Sequence, residues 1–210
     1  LERFKKEIVS SRCFDRIRLQ HKGRFDEFIQ QKVQPMYASP HQLGDLQKEG
    51  LGLSKEILEE LRSSCDVIIN CAASIDFNAR IDFAIDSNIY GSCRMLELAR
   101  SIKNLSVFTH ISTCYVNCDQ RGLIKEEIYE KGILDNADLE PEEELRQLMA
   151  LPLNELIANT KKILGKYPNT YTYTKSLCER LLKKRQGGVP LCIVRPAIIN
   201  TSIAEPYPGW

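Results

Sequence analysis

Short apolar runs alternate with segments of helical periodicity along most of the chain. Residues 65–73, 105–111 and 191–199 are almost continuously apolar, which is typical of parallel strands that are covered on both faces. Apolar positions recur every three or four residues in residues 83–102 and 170–184, and this spacing predicts helices. The alternation of strands and helices predicts an α/β domain with a parallel sheet wrapped by helices.

The remaining segments complete this outline. Residues 2–32 are charged and predicted to be helical, residues 33–38 to form a short strand, and Ser54 to cap a helix. Residues 119–165 carry an acidic cluster and several candidate helices, which a plain strand–helix alternation does not need. We therefore expect a single domain, residues 1–210, in four parts: amino-terminal helices (1–32), central strands and helices (33–118), a helical insertion (119–165), and a final helix and strand (166–210).

Composition places the chain among ordinary globular proteins and excludes several classes. Its 210 residues are 43% apolar and 27% charged, with a net charge of +1. Such a balance gives no reason to expect a nucleic acid or an anionic membrane surface as a partner. No apolar run approaches the roughly 20 residues that a transmembrane helix needs.

Cysteine and histidine positions argue against disulfides and metals. The chain has eight cysteines and no Cys-x-x-Cys pair. Four lie in or beside the apolar runs and are predicted to be buried, reduced thiols: Cys65, Cys71, Cys114 and Cys192. This usage favours a reducing, intracellular compartment. The three histidines show no ligand spacing with the cysteines, so we expect no metal site.

Small and hydroxyl-bearing residues follow the predicted strands. Ala72-Ala73-Ser74 comes after one strand, Ser112-Thr113 after the next, and Pro196-Ala197 after the last. In open parallel sheets ligands bind at the carboxyl ends of the strands. These residues are therefore candidates for a binding site.

Tyr171 and Lys175 are four residues apart and share a face of the predicted helix. A lysine ammonium beside a phenol lowers the tyrosine pKa, which helps the tyrosine to pass a proton near neutral pH. With a Thr113 hydroxyl to hold a carbonyl, the set suits carbonyl reduction by hydride. The alternative is a surface pair on an ordinary helix, with Asp45 a turn residue and Asn88 a polar residue of a helix surface.

Seven motifs occur in order from residue 44 to residue 210. They are Gly44-Asp45-Leu46, DVIINCAA at 66–73, NIYGS at 88–92, HISTCYVN at 110–117, NTYTYTKS at 169–176, RPAII at 195–199 and EPYPGW at 205–210. The ordered set resembles the extended short-chain dehydrogenases. Its details are similar to the male-sterility-type domain of the fatty acyl-CoA reductases.

The resemblance implies an NADPH-dependent reduction of a long-chain acyl-CoA to an aldehyde and then to a primary alcohol. Tyr171 would donate the proton, Lys175 would hold the nicotinamide ribose, and Thr113 would bind the carbonyl oxygen. The implied cofactor-binding residues are Asp45, Leu46, Ala72, Ala73, Asn88, Lys175, Pro196, Ala197 and Ile198. Residues 119–165 would correspond to a segment near the acyl entrance.

One expected element is absent from the sequence. Dinucleotide binding needs a glycine-rich turn between the first strand and helix, and the close pair Gly50 and Gly52 comes too late to form it. We therefore expect a Rossmann-like, doubly wound sheet without its first strand, turn and helix, and an amino-terminal segment of the same domain as its partner. The chain alone should be inactive or very weak.

Two other functions are compatible with the same residues. One is a thioester reductase domain that acts on acyl groups bound to a carrier protein. The other is a non-catalytic, truncated remnant that binds a lipid or a partner.

Overall fold

The computed structural model describes residues 4–39, 42–118, 120–129 and 139–210. The chain divides into two compact units, of which one combines Leu1–Leu43 with Ile198–Trp210 and the other spans Gly44–Ala197. Residues 119 and 130–138, which belong to the predicted insertion, lie outside the described residues.

The first unit is mainly helical at its amino-terminal end, as predicted. Its short helical segments are the π-helical turn Phe4–Val9, the 3-10 turn Arg12–Phe14, α1 (Asp15–Gln20) and α2 (Phe25–Lys32). A strand follows, β1 (Tyr37–Ser39), which pairs antiparallel with β2 (Gln42–Leu43). It begins at Tyr37 rather than at Val33, where the predicted strand begins.

A three-stranded parallel sheet forms the centre of the second unit. Its strands are β3 (Val67–Asn70), β4 (Val107–Ile111) and β5 (Leu191–Val194), in that spatial order. The predicted α/β class and parallel sheet are confirmed. β5 is shorter than the apolar run 191–199 because Pro196 has no amide hydrogen to continue the ladder.

Helices connect and cover the strands. They are α3 (Lys55–Ser64), α4 (Ile81–Ala84), α5 (Gly91–Arg100), α6 (Pro141–Ala150), α7 (Leu153–Ala158), α8 (Thr160–Leu164) and α9 (Thr170–Arg185). The Ser54 hydroxyl accepts a hydrogen bond from the Ile57 amide at 3.4 Å, so Ser54 caps α3 as predicted. A π-helical segment, Ile85–Tyr90, joins α4 to α5 within the predicted helix 83–102.

One face of the sheet packs on α5 and α9. Ile68 and Phe108 of the sheet are buried with Leu96 of α5 and with Leu177 and Leu181 of α9. On the opposite face Val67, Ile69 and Val194 are 48%, 66% and 41% exposed. The core of the described unit therefore lies between the sheet and this helical layer.

The prediction of four buried cysteines is wrong. Cys71, Cys114 and Cys192 are exposed and Cys65 is partly exposed. Cys71 and Cys114 lie beyond the ends of their strands, and Cys192 shares the open face of β5 with Val194. The buried thiols are Cys93 on α5 and Cys178 on α9.

Candidate functional site

The three parallel strands end together at one edge of the sheet. Asn70 is in register with His110, and Ile111 with Val194. Beyond the ends, the Ser112 amide donates to the Val194 carbonyl at 2.7 Å and the Cys114 amide to the Pro196 carbonyl at 3.0 Å. The structure therefore brings the segments that carry Thr113 and Pro196 side by side.

Tyr171 lies in the first turn of α9 and faces this edge. Asn169 starts the helix, because its side chain accepts a hydrogen bond from the Thr172 amide at 2.9 Å. The Thr113 side chain lies close enough to the Tyr171 hydroxyl to lower its pKa. Thr113 also accepts a hydrogen bond from the Tyr115 amide at 3.3 Å, so it caps the turn Cys114–Asn117 as well as contacting Tyr171.

Burial raises the pKa of Tyr171 above its ordinary value, and the Thr113 side chain only partly opposes this shift. The lowered pKa expected from the Tyr171–Lys175 spacing is therefore wrong for this structure. Desolvation disfavours the phenolate more than its neighbours stabilise it. Tyr171 is consequently held as a neutral phenol, a form that can donate a proton.

Lys175 is almost fully buried, with 3% of its surface exposed. Its ammonium group donates a hydrogen bond to the Ile111 carbonyl at 2.8 Å, which ties α9 to the end of β4. Burial lowers the pKa of Lys175, while the nearby Cys178, Cys71 and Glu179 act in the opposite direction. The amine is therefore fixed at the strand end by a backbone carbonyl.

Asn88 is buried rather than a polar residue of a helix surface, with 1% of its surface exposed. Its amide oxygen accepts from the Ser74 amide at 2.7 Å, and its amide nitrogen donates to the Ser74 carbonyl at 3.2 Å. The same nitrogen donates to the Thr174 hydroxyl at 3.0 Å. Asn88 thus clamps the loop after β3, which includes Ala72 and Ala73, to α9.

Asp45 and Leu46 form a turn beside the start of α5. The Asp45 carboxylate accepts a hydrogen bond from the Gln47 amide at 2.9 Å, as a turn residue does. The Leu46 carbonyl accepts from the Arg94 guanidinium at 2.9 Å. A β-carbon at Gly91 would meet the Leu46 side chain at 3.5 Å, an ordinary van der Waals distance, so the turn and the helix pack directly against each other.

A layer of buried polar side chains lies below the strand ends and was not predicted from the sequence. Asn70 donates to the Ser92 hydroxyl at 3.0 Å and contacts the His110 ring nitrogen Nδ1 at 3.2 Å. The other ring nitrogen of His110 lies 3.9 Å from the Cys178 sulfur. Burial and the Lys175 charge lower the pKa of His110 to about 3. In the sequence, the only indication of this polar layer is one polar residue near the end of each of two apolar runs, Asn70 and His110.

The strand ends also suit a flat cofactor. Ala72 and Ala73 have short side chains at the end of β3, which lets a ligand approach the backbone. The Ser112 hydroxyl is buried and lacks a hydrogen-bond partner among the described residues. Next to Thr113 in the chain, this hydroxyl is a buried polar group that a ribose hydroxyl of a bound cofactor would satisfy.

The last two predicted cofactor-binding residues are exposed and belong to different units. Ala197 is exposed at the end of the second unit, and Ile198, 76% exposed, belongs to the first unit. A cavity of about 400 Å³ in the first unit is lined by Lys5, Arg18 and Asp26, and contains none of the predicted site residues.

Within the described ranges no group of three metal-binding side chains occurs. No described helix is both long and apolar enough to span a membrane.

Several solved structures match at low identity, and two of them illustrate the range. The terminal R domain from the myxalamid PKS-NRPS biosynthetic pathway is 20% identical, with a TM-score of 0.47, over 76% of this chain and 33% of its own. UDP-glucuronic acid 4-epimerase from Bacillus cereus, in complex with NAD, is 20% identical, with a TM-score of 0.38, over 68% and 35%.

Curated relatives match over nearly the whole chain. The alcohol-forming fatty acyl-CoA reductase of Simmondsia chinensis is 32% identical over 99% of this chain and 45% of its own length. Fatty acyl-CoA reductase 2 of Mus musculus is 31% identical over 97% and 36%. The chain therefore spans less than half the length of these relatives.

The model of an NAD-binding family described as "Male sterility protein" matches residues 1–210. The match covers every strand of the parallel sheet and the helix that carries Tyr171 and Lys175. This chain therefore belongs to the male sterility family of NAD-binding domains.

Proposed function

We propose that the protein reduces a long-chain fatty acyl-CoA with NADPH, first to the aldehyde and then to the primary alcohol. The observation that carries the proposal is that Thr113, Tyr171 and Lys175 meet at the end of β4. The Thr113 side chain acts on the Tyr171 hydroxyl, and the Lys175 ammonium donates to the carbonyl of Ile111, two residues before Thr113. The names of the relatives, fatty acyl-CoA reductases, supply the substrate class.

The roles of the side chains follow from their chemistry. The neutral phenol of Tyr171 would donate its proton to the carbonyl oxygen as negative charge develops there. Thr113 would share this oxygen through its hydroxyl, which places the carbonyl between two donors. A bound nicotinamide would supply the hydride. The proposed cofactor contacts are Lys175 and the Ser112 hydroxyl to the ribose and the Ala72–Ala73 backbone beneath the cofactor.

Replacement of the Tyr171 hydroxyl provides the direct test. In the full-length protein, we expect Tyr171→Phe to lower kcat for palmitoyl-CoA about 100-fold or more, because general acid catalysis contributes factors of that order. The measurement is NADPH consumption with product identification by chromatography. A parallel assay with an acyl group on a carrier protein tests the carrier-dependent alternative.

Tyr173→Phe is the matched control, since Tyr173 lies on the same helix but donates its hydroxyl to Glu144 at 3.1 Å. This variant should lose stability by about 1.5–3 kcal/mol, the range for a hydrogen bond to a charged group, and keep most of its activity. Equal loss of kcat in both variants would contradict the role of Tyr171. Absence of NADPH consumption by the wild type with any acyl-CoA would contradict the proposed function itself.

A further inference from the structure

Phe77 is an exposed aromatic side chain next to the candidate proton donor. Its ring centroid lies 5.5 Å from that of Tyr171, with the ring planes inclined at 38°. Even so, 57% of its surface is exposed. One side of the Phe77 ring therefore contacts Tyr171, while much of its remaining apolar surface is exposed to solvent.

The backbone around Phe77 is held in place. The Thr170 hydroxyl, one residue before Tyr171, donates to the Ala79 carbonyl at 3.0 Å and lies 3.4 Å from the Phe77 carbonyl. Within the loop, the Asp76 carboxylate accepts a hydrogen bond from the Asn78 amide at 2.9 Å. The start of α9 thus fixes the backbone of Phe77 relative to Tyr171, so the exposed ring forms a preorganised apolar surface.

A second apolar side chain extends this surface. Ile75, two residues before Phe77 in the same loop, is 76% exposed. Exposed apolar side chains are ordinary when they are scattered singly, but two in one loop beside a reactive hydroxyl form a candidate contact for an apolar ligand.

We propose that Phe77 forms the apolar wall of a subsite for the acyl chain of the substrate. This inference rests on the proposed function. The reacting carbonyl oxygen must come within about 3 Å of the Tyr171 hydroxyl, since proton transfer needs hydrogen-bond contact. The neighbouring Phe77 ring then lies within reach of the first carbons of the acyl chain. Ile75, two residues before Phe77, offers a second apolar contact in the same loop.

The same ring could instead contact the nicotinamide of the cofactor. The two occupants differ in what they predict. An acyl contact makes the effect of Phe77 depend on chain length, whereas a nicotinamide contact changes the KM for NADPH equally with every substrate.

The test is a series of acyl-CoA substrates with the full-length protein. We expect Phe77→Ala to change kcat/KM for acetyl-CoA less than about twofold and to lower it about tenfold for dodecanoyl-CoA, since each lost methylene contact weakens binding about fourfold. The loss should appear mainly in KM. Phe77→Leu, which keeps an apolar side chain, should restore most of it.

Phe83→Ala is the matched control, because Phe83 is a similarly exposed phenylalanine, 49%, but lies on α4. It should leave the dependence on chain length unchanged. Thr170→Val, which removes the hydroxyl that holds the loop, should reproduce part of the Phe77→Ala effect. An equal loss at all chain lengths, or a change confined to the KM for NADPH, overturns the proposal.

Calorimetric binding of dodecanoyl-CoA without NADPH separates this proposal from the function on which it rests. Weaker binding by Phe77→Ala supports the subsite even if no acyl-CoA is reduced. Equal binding by wild type and variant overturns the subsite even if the wild type is an active reductase.

Discussion

At the scale of single residues, burial controls the protonation of the groups at the strand ends. Tyr171 has a raised pKa, whereas Lys175 and His110 have lowered ones, and burial is the largest cause in each case. The low-dielectric interior favours the neutral form of each group. Tyr171 therefore keeps its proton at neutral pH, although its raised pKa makes it a weaker acid than a solvent-exposed phenol.

His110 should make the stability of the fold depend on pH. Its pKa falls from 6.5 to about 3 on folding, so below pH 6.5 the unfolded chain binds a proton that the folded chain does not. The contribution of His110 to the free energy of unfolding is therefore fully present above pH 6.5 and is lost as the pH falls towards 3. Between pH 7.5 and pH 5 we expect a loss of about 2 kcal/mol, measured by urea unfolding at each pH.

His110→Gln is the comparison variant, because glutamine keeps a side-chain acceptor for Asn70 but does not titrate. Its free energy of unfolding should fall less over the same pH range, by about the 2 kcal/mol assigned to His110. Parallel pH dependence in the two proteins would show that His110 does not titrate as described.

At the scale of elements, ion pairs attach α6 to α9. The buried pair is Glu144 and Arg180, whose charged groups are 2.6 Å apart with 1% and 3% of their side chains exposed. Glu142 forms two hydrogen bonds with Arg185, at 2.7 and 2.6 Å. Glu140 and Lys184 add an exposed pair at 3.0 Å. The acidic cluster of the predicted insertion therefore packs on the helix that carries Tyr171.

Glu144→Gln should destabilise the protein strongly. It leaves the Arg180 charge buried without its partner, and breaking such a pair costs about 3–5 kcal/mol. Glu143→Gln is the matched control, since Glu143 is the neighbouring residue and pairs with Arg146, whose side chain is 69% exposed. We expect little change from it. Thermal unfolding of both variants measures the difference, and equal melting temperatures would contradict the role of the buried pair.

The elements themselves were largely predictable. Helix α9 and the strands β3 and β4 have periodic or continuous apolar patterns, and each was predicted within a few residues of its observed bounds. The π-helical segment Ile85–Tyr90 was not, because its apolar spacing resembles that of an α-helix. The buried position of Asn88 depends on Ser74 and Thr174, which no local pattern connects.

At the scale of the whole molecule, we expect the sheet and its loops to contact only part of a dinucleotide cofactor. The 210 residues contain no Gly-x-Gly-x-x-Gly sequence, whose backbone amides hold a pyrophosphate. In the second unit Gly50 and Gly52, at φ +58° and +61°, serve the turn before α3. They therefore do not open a helix directly after a parallel strand.

We expect the 210-residue chain to bind NADPH at least about tenfold more weakly than the same chain extended by an amino-terminal segment with a glycine-rich turn, since the amides that hold phosphate contribute much of the binding. Titration calorimetry on both proteins measures the two dissociation constants. Circular dichroism shows whether the shorter chain is folded under the same conditions. Equal dissociation constants would mean that the described strand ends suffice for cofactor binding.

The amino-acid pattern alone predicts the order of strands and helices, the parallel class of the sheet and the helical spacing of Tyr171 and Lys175. These depend on local periodicity, which neighbouring residues set. Three further features follow from the folded chain and not from local sequence: the raised pKa of Tyr171, the exposure of the cysteines at the strand ends and the position of Phe77. These depend on burial and on contacts between distant segments, such as the hydrogen bond from Lys175 to Ile111.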